Sequence, residues 1–178
     1  SNDRLWEDVE LCVKHKVPII ITSLGARPEL NEAIHSYGGI VLHDIINNRF
    51  AHKAIEKGAD GLIAVAAGAG GHAGTLSPFA LIQEIRAWFD GPLLLSGSIA
   101  NGNAILAAQA MGADLAYIGS PFIATEEANA AAALAKGRIV GGMDRKELQK
   151  PTKAGTWQSF FTPFHVATAK GAAWVGTE

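Results

Sequence analysis

The sequence predicts an α/β protein organised around a parallel sheet, and three observations carry that expectation. Five short apolar runs, at residues 17–24, 39–46, 61–66, 92–96 and 115–118, are continuous rather than alternating, as in strands covered on both faces. Segments with helical spacing separate them. The connections are short, so strand and helix alternate as βα units. Periodicity alone leaves two architectures standing, an open doubly wound sheet and part of a closed β/α barrel. An eight-stranded barrel usually takes about 250 residues. This chain has 178 and opens on a helix rather than a strand.

The helices between the runs follow from their apolar stripes. Leu30, Ala33, Ile34 and Tyr37 share one helical face; Phe50, Ala54 and Ile55 make a shorter stripe; Ile82, Ile85, Trp88 and Phe89 repeat the spacing. Ser77-Pro78 reads as an N-cap followed by proline at the first helical position. Thr125-Glu126-Glu127 reads as a second start, with carboxylates near the positive end of the helix dipole. Gly58 and Gly112 stand where helices should stop, each just before a turn into a strand. The βα pattern fills residues 1–136. From 137 to 178 the chain reads as a C-terminal extension: a charged stretch at 145–153 containing Pro151, then an aromatic stretch at 157–174 without clear period. That many aromatic rings favour packing over solvent.

Composition excludes several classes. Seventeen acidic against fifteen basic residues, net charge -2, give no electrostatic case for nucleic acid or an anionic membrane surface. No stretch approaches the roughly 20 apolar residues of a membrane-spanning helix. One cysteine, Cys12, excludes an internal disulfide and a cysteine-based metal site, which favours a reducing, cytoplasmic compartment. No His, Cys and carboxylate grouping has metal-ligand spacing.

Three loops carry the candidate chemistry. Gly68-Ala69-Gly70-Gly71-His72-Ala73-Gly74 follows the third run. Glycines there let backbone approach a ligand closely, and at the rim of a barrel the histidine would face substrate. A glycine-rich turn bearing a surface histidine fits the same residues. Ser96-Gly97-Ser98-Ile99-Ala100-Asn101-Gly102 follows the fourth run, and Gly119-Ser120-Pro121-Phe122 the fifth. Each puts small residues between a strand end and a helix start, where consecutive N–H groups can hold phosphate; the alternative is two tight turns. Of the other histidines, His15, His35 and His52 read as solvated, His43 at a strand end beside Asp44 could face a cofactor, and His165 has no assignment. Asp60 and Asp114, in Gly-Ala-Asp turns, read as turn residues at the opposite rim.

Taken together, Gly58-Ala59-Asp60-Gly61, Ala69 to Gly74, Ser96 to Gly102, Gly112-Ala113-Asp114 with Gly119-Ser120, and Phe122-Ile123-Ala124-Thr125-Glu126-Glu127 resemble the nitronate monooxygenase (2-nitropropane dioxygenase) family in order and spacing. The resemblance runs from about Leu5 to Asn129. It implies a TIM-type (β/α)8 barrel of which these runs are the last five strands. It implies FMN at the C-terminal rim, with phosphate on Gly97, Ser98, Gly119 and Ser120 and with Gly70 and Gly71 beside the flavin. His72 would be the catalytic base, or the electrostatic partner of an anionic nitronate, and dioxygen the co-substrate. The chain departs from the family at Ser98, where glycine is frequent, at Val65, where glutamine is frequent, and at Gly68, where an acid is common.

The leading expectation is therefore an FMN-dependent oxidoreductase that oxidises small alkyl nitronates or nitroalkanes with dioxygen. An FMN-dependent enoyl-thioester (enoyl-acyl-carrier-protein) reductase using NAD(P)H is the second reading. A non-catalytic module binding flavin or another phosphate ligand is the third. Five strands leave two unpaired sheet edges, to be covered by further chain segments or by a second copy in a homo-oligomer.

Overall fold

The structure, a computed structural model, describes residues 3–70 and 74–119 and the backbone of Ala172–Val175. The order along the chain is α1 (Leu5–Lys14), β1 (Ile19–Thr22), α2 (Pro28–His35), β2 (Ile40–Ile45), α3 (Asn48–Glu56), β3 (Gly61–Val65), α4 (Pro78–Arg86), β4 (Leu93–Ser96), α5 (Gly102–Ala110), β5 (Leu115–Ala116) and β6 (Ala172–Val175). The strands form one sheet in the order β5-β4-β3-β2-β1-β6, with every pairing parallel. All five predicted runs are strands. The first run shortens to four residues for local reasons. Val17 N–H closes the end of α1 on Cys12 O at 3.0 Å, and Leu24 and Gly25 take positive φ, 62° and 118°, which turns the chain out of the sheet.

Helix ends follow backbone chemistry. Asn47 and Asn101 cap α3 and α5, their Oδ1 atoms accepting from Phe50 N at 2.9 Å and Ala104 N at 3.0 Å. Pro78 opens α4 as expected, but Ser77 makes no side-chain capping bond; the pre-set φ of the proline suffices there. Gly58 and Gly112 stop their helices with φ of 92° and 109°, conformations that a side chain would strain. The proposed start at Thr125 and the aromatic stretch, apart from the backbone of β6, lie outside the described residues.

The two faces of the sheet bury different sets of side chains. Ile20 and Val41 pack against Leu5, Val9 and Cys12 of α1 and Leu30 and Ile34 of α2. Ile45, Leu62, Ala64, Leu93 and Leu95 pack under Ala51 and Ala54 of α3, Leu81, Ile82 and Ile85 of α4 and Ala108 of α5. The opposite face gathers Ile21, Leu42, Ile63 and Leu94, with Val65, Leu115 and Tyr117 beside them. That face is the inner wall of the βα arrangement. Phe50, expected in the buried stripe of α3, is 46% exposed, because the small Ala51 and Ala54 bring the helix against the sheet on an adjacent face.

One of the two edges that needed cover is paired. β6 lies parallel to β1 in the register Ile19↔Ala172 to Thr22↔Val175, so the end of the chain supplies a strand where the sheet would otherwise stop. No helix among the described residues is long and apolar enough to cross a membrane.

The Gly-Ala-Asp turns at the N-terminal rim form a repeated clamp. Asp60 N donates to Val41 O at 2.9 Å while Asp60 Oδ2 accepts from Val41 N at 2.7 Å and is 2.8 Å from His35 Nε2. Asp114 N donates to Leu93 O at 2.8 Å, and its Oδ2 accepts from Leu93 N at 2.9 Å and from Arg86 Nη2 at 2.5 Å. His35 is thus an aspartate partner rather than a purely solvated residue. Arg86 also donates to Gly112 O at 2.6 Å, Gly91 O at 2.8 Å and Phe89 O at 3.1 Å, tying together the turns that lead into β4 and β5. Arg86→Ala removes donors from three carbonyls and a carboxylate and is expected to cost about 3 kcal/mol, read as a lower urea midpoint at unchanged slope. Arg86→Lys, lacking the planar fork, should recover only part of the loss.

Candidate active site

Because every strand runs the same way, the segments after β3, β4 and β5 emerge at one edge of the sheet, and this sets the position of the candidate residues. Gly70 follows β3, Gly97 and Ser98 follow β4, and Gly119 follows β5. Gly70, Ser98 and Gly119 are exposed and Gly97 is half-buried. Gly71, His72 and Ser120 lie outside the described residues. On either side of residues 71–73, Gly74 N–H donates to Val65 O at 3.1 Å, and Ala67 N–H to Leu76 O at 2.9 Å. The segment therefore leaves the end of β3 and returns to it. A Cβ on Gly74 would stand 2.5 Å from Val65 O and 3.1 Å from Ile46 O, so only glycine lets the returning chain lie this close to the ends of β2 and β3.

The loops after β3 and β4 are latched to each other. Ser98 N–H donates to Gly68 O at 3.0 Å, and Ala66 N–H donates to Ser96 O at 2.9 Å. Three left-handed residues make this possible: Gly68 at φ 89°, Gly97 at 136° and Ser98 at 53°. At Gly97 a Cβ would sit 2.9 Å from Ala67 O. At Gly68 a Cβ would collide with the Ser98 hydroxyl, so the glycine that stands where the family often has an acid belongs with the serine at 98. The Ser98 N–H is spent within the latch, so of its polar groups the hydroxyl is the one without a hydrogen bond among the described residues. At Gly119 a Cβ would meet nothing within 4 Å among the described residues. Asn101 caps α5 immediately beyond the β4 loop, so the positive end of that helix opens toward the same edge.

The inner wall carries one acid that sequence reading passed over. Strand register continues the inner set Ile19, Ile21 and Leu42 to Asp44, which pairs with Ile63 as Ile63 pairs with Leu94. His43 therefore faces the helices, not the wall where a cofactor would lie. It is buried, its Nδ1 2.5 Å from Thr22 Oγ1. Burial, with a smaller contribution from the charge of Lys57, lowers its pKa to about 4. Burial pushes the Asp44 carboxyl up to about 6, against the opposing effect of a hydrogen bond from Ser23. Its Oδ1 is buried without a hydrogen-bond partner among the described residues. Tyr117 lies on the same wall, and its phenol is pushed above its ordinary range by burial and then by the Asp44 charge.

These two neighbours give opposite pH signatures. The unfolded chain protonates a histidine below about 6.5 while folded His43 stays neutral, so stability falls as pH drops from about 6.5 toward 4. Folded Asp44 resists ionisation that the unfolded chain completes near 4, so stability falls as pH rises from about 4 to 6. Between those limits the two slopes oppose each other. Asp44→Asn removes the second, and the variant's stability relative to the parent should climb from pH 4 to 6 and then level off. The climb is at most about 3 kcal/mol. Urea unfolding at four pH values checks it; a pH-independent difference would mean that Asp44 ionises normally in the fold.

The sequence profile of the nitronate monooxygenase family matches residues 2–157. The chain belongs to the nitronate monooxygenase family. A Mycobacterium tuberculosis protein named as a monooxygenase is 32% identical over 122 residues, which are 67% of this chain and 32% of that protein. Among solved structures, FabK from Thermotoga maritima superposes with a TM-score of 0.67 at 26% identity, covering 74% of this chain and 42% of that one. Nitroalkane oxidase from Streptomyces ansochromogenes superposes at 0.66 and 26%, covering 72% and 42%. The chain thus spans about a third of that curated relative and less than half of each of these two structures. Both structures are TIM barrels, and the parallel sheet seen here is a part of that fold. The nitronate monooxygenase family is one of flavin-dependent oxidoreductases in general.

Proposed function

We propose that this chain forms the flavin-holding part of an oxidoreductase that uses FMN to oxidise alkyl nitronates or nitroalkanes with dioxygen. The observation that carries the proposal is that Gly70, Gly97, Ser98 and Gly119 all follow their strands at the C-terminal edge of one parallel sheet, with the loops after β3 and β4 latched by Ser98 N–H to Gly68 O. In β/α barrels that edge holds the active site, and the last two βα loops frequently hold a phosphate. The described residues fit such a group. They are small and accessible, the β4 loop is closed to larger side chains at Gly97, and a helix N-terminus lies beside it. Gly97, the Ser98 hydroxyl, Gly119 and Ser120 would take the phosphate. Gly70 and Gly71 would run beside the ring system.

Bound there, FMN would supply the electron acceptor for the oxidation. The chain's own contribution is proton handling and exclusion of water. His72 would take the proton from the carbon beside a nitro group, leaving the electron pair of the broken C–H bond on the nitro oxygens as a nitronate. A neutral imidazole, with an ordinary pKa near 6.5, is available for this at neutral pH. The buried free thiol of Cys12 fits the reducing, cytoplasmic setting expected from the sequence.

The likeness to FabK favours a second reading, an enoyl-thioester reductase driven by NAD(P)H. Oxygen uptake with propyl-2-nitronate in the absence of nicotinamide supports the first reading. Nicotinamide oxidation that depends on an enoyl thioester, with no response to nitronate, replaces it with the second.

Gly119 separates charge from bulk. Since a Cβ there meets no neighbour among the described residues, Gly119→Ala should leave flavin affinity within about twofold, below about 0.5 kcal/mol. Gly119→Glu places a carboxylate beside the phosphate and should weaken FMN by at least about tenfold. Fluorescence titration of FMN checks both; equal affinity in the two variants would remove Gly119 from the phosphate site.

A further inference from the structure

We propose that Asp44 is a substrate-facing acid, which holds a proton on Oδ1 and donates it in a hydrogen bond to an anionic oxygen of the bound substrate. The inference rests on reading the substrate as a nitronate, and it assigns that anion's oxygen a partner distinct from His72. Four observations carry it. Register places Asp44 on the inner wall, level with Ile63 and through it Leu94 and Leu115, in a layer that is otherwise aliphatic. It is the last inward position of β2, one residue before the strand ends toward the loops that bear Gly70 and Gly97. Ser23, which immediately follows β1, is a hydrogen-bonding neighbour of the carboxyl. The carboxyl oxygen Oδ1 is buried and has no hydrogen-bond partner among the described residues.

A leucine at this position would continue the aliphatic layer at no electrostatic cost. An unpaired carboxyl oxygen inside a protein is unfavourable unless something arrives to satisfy it. Fold stability therefore gives no reason for the acid, and a ligand entering from the C-terminal edge gives one. Among the described residues, the groups that face Asp44 do not supply a competing counter-charge: Ser23 is neutral, and Tyr117, just after β5, is a phenol whose ionisation Asp44 itself opposes. His43 is adjacent in sequence but turned to the opposite face, on Thr22. A carboxyl in such surroundings is half-protonated near pH 6, and an anion alongside would hold its proton more firmly. Ionised, the same group would repel a nitronate. Asp44 would thus bind substrate anion and proton together.

Nitrate, a planar anion with oxygens on nitrogen, serves as the probe, because it neither reacts nor needs flavin. Its dissociation constant is measured on the full chain from pH 5 to 8, with the Asp44 carboxyl followed by 13C NMR. Nitrate should raise the Asp44 midpoint, and above about pH 6 its dissociation constant should rise nearly tenfold per pH unit. Asp44→Asn, which keeps a hydrogen-bond donor without a titration, should lose that slope. Asp44→Leu should bind nitrate weakly at every pH, and its cooperative unfolding shows that the loss is not one of fold. Taking the parent minus Asp44→Asn removes any contribution from groups that the two proteins share. The proposal is overturned by an Asp44 midpoint that nitrate leaves unmoved, by equal pH slopes in parent and Asp44→Asn, or by absence of nitrate binding at pH 5. Since no flavin or turnover is involved, a nitrate response in a chain that fails to bind FMN would retain this inference and remove the flavin reading. An FMN-loaded chain with no nitrate response would do the reverse.

Discussion

Replacing His72 with alanine is expected to leave flavin bound while lowering turnover of a neutral nitroalkane by about 10²–10⁴-fold, the usual worth of a positioned base. The expectation separates two functions of one loop. Gly70 and Gly71 would offer backbone to the cofactor, and a neighbouring side chain does not alter backbone, so affinity for FMN should hold within a few-fold. The imidazole would offer proton transfer. A preformed nitronate needs no deprotonation, so its oxidation should fall much less than that of the parent nitroalkane. Assaying both substrates with both proteins across pH separates the roles. Equal losses on the two substrates would mean that His72 holds the anion instead of taking the proton. No loss on either would leave it a loop residue.

The second large effect falls on Gly97. Its φ of 136° lies where side chains are strained, and a Cβ would stand 2.9 Å from Ala67 O and 3.2 Å from Ala66 O, backbone atoms that cannot swing aside. Gly97→Ala therefore meets strain and a clash at once, about 3 kcal/mol if nothing moves. The loop's easier course is to shift, which breaks the bond from Ser98 N–H to Gly68 O and separates the β3 and β4 loops. A modest fall in unfolding midpoint together with a loss of FMN affinity of at least about tenfold is the expected pattern. Full stability with full flavin affinity would show that the latch is not needed to shape the site.

The fold was legible because buried parallel strands announce themselves as unbroken apolar runs, and all five runs became strands. The same continuity hid which side chains face inward. A one-residue shift exchanges the two faces of a strand, and in a run apolar on both sides nothing in the residue types reveals the phase. His43 was accordingly weighed as the group that could meet a cofactor, whereas register turns it to the helices and brings Asp44 inward. A signal was present: Asp44 is the one acid within the run 39–46, and an acid in a buried strand calls for a partner. Asn47 and Asn101 could also have been read as caps, standing as they do just before helical stripes. Phe50 misled because the stripe was read from its largest side chain, while the close approach of α3 depends on Ala51 and Ala54. β6 had no legible cue, since Ala172–Val175 is short, and what identifies it is pairing with β1, more than a hundred residues away in sequence.

The glycine loops were legible as a set and ambiguous one at a time. Spacing did not distinguish a ligand loop from a tight turn at Gly97 or Gly119. Parallel pairing adds what spacing lacked, a common edge, and the left-handed Gly68, Gly97 and Ser98 show why small residues occur there together. The role of Ser98 was the least predictable part, because its N–H is spent on Gly68 O, a contact between two loops thirty residues apart.

The central claim, that the loops after β4 and β5 hold FMN by its phosphate with the loop after β3 beside its ring, is tested most directly by titrating the purified chain with FMN and with riboflavin, which has the same ring system and no phosphate. The account predicts that FMN quenches on binding and that riboflavin binds at least about tenfold more weakly. It predicts further that inorganic phosphate competes with FMN. Equal affinities for the two flavins, or no competition by phosphate, would contradict it.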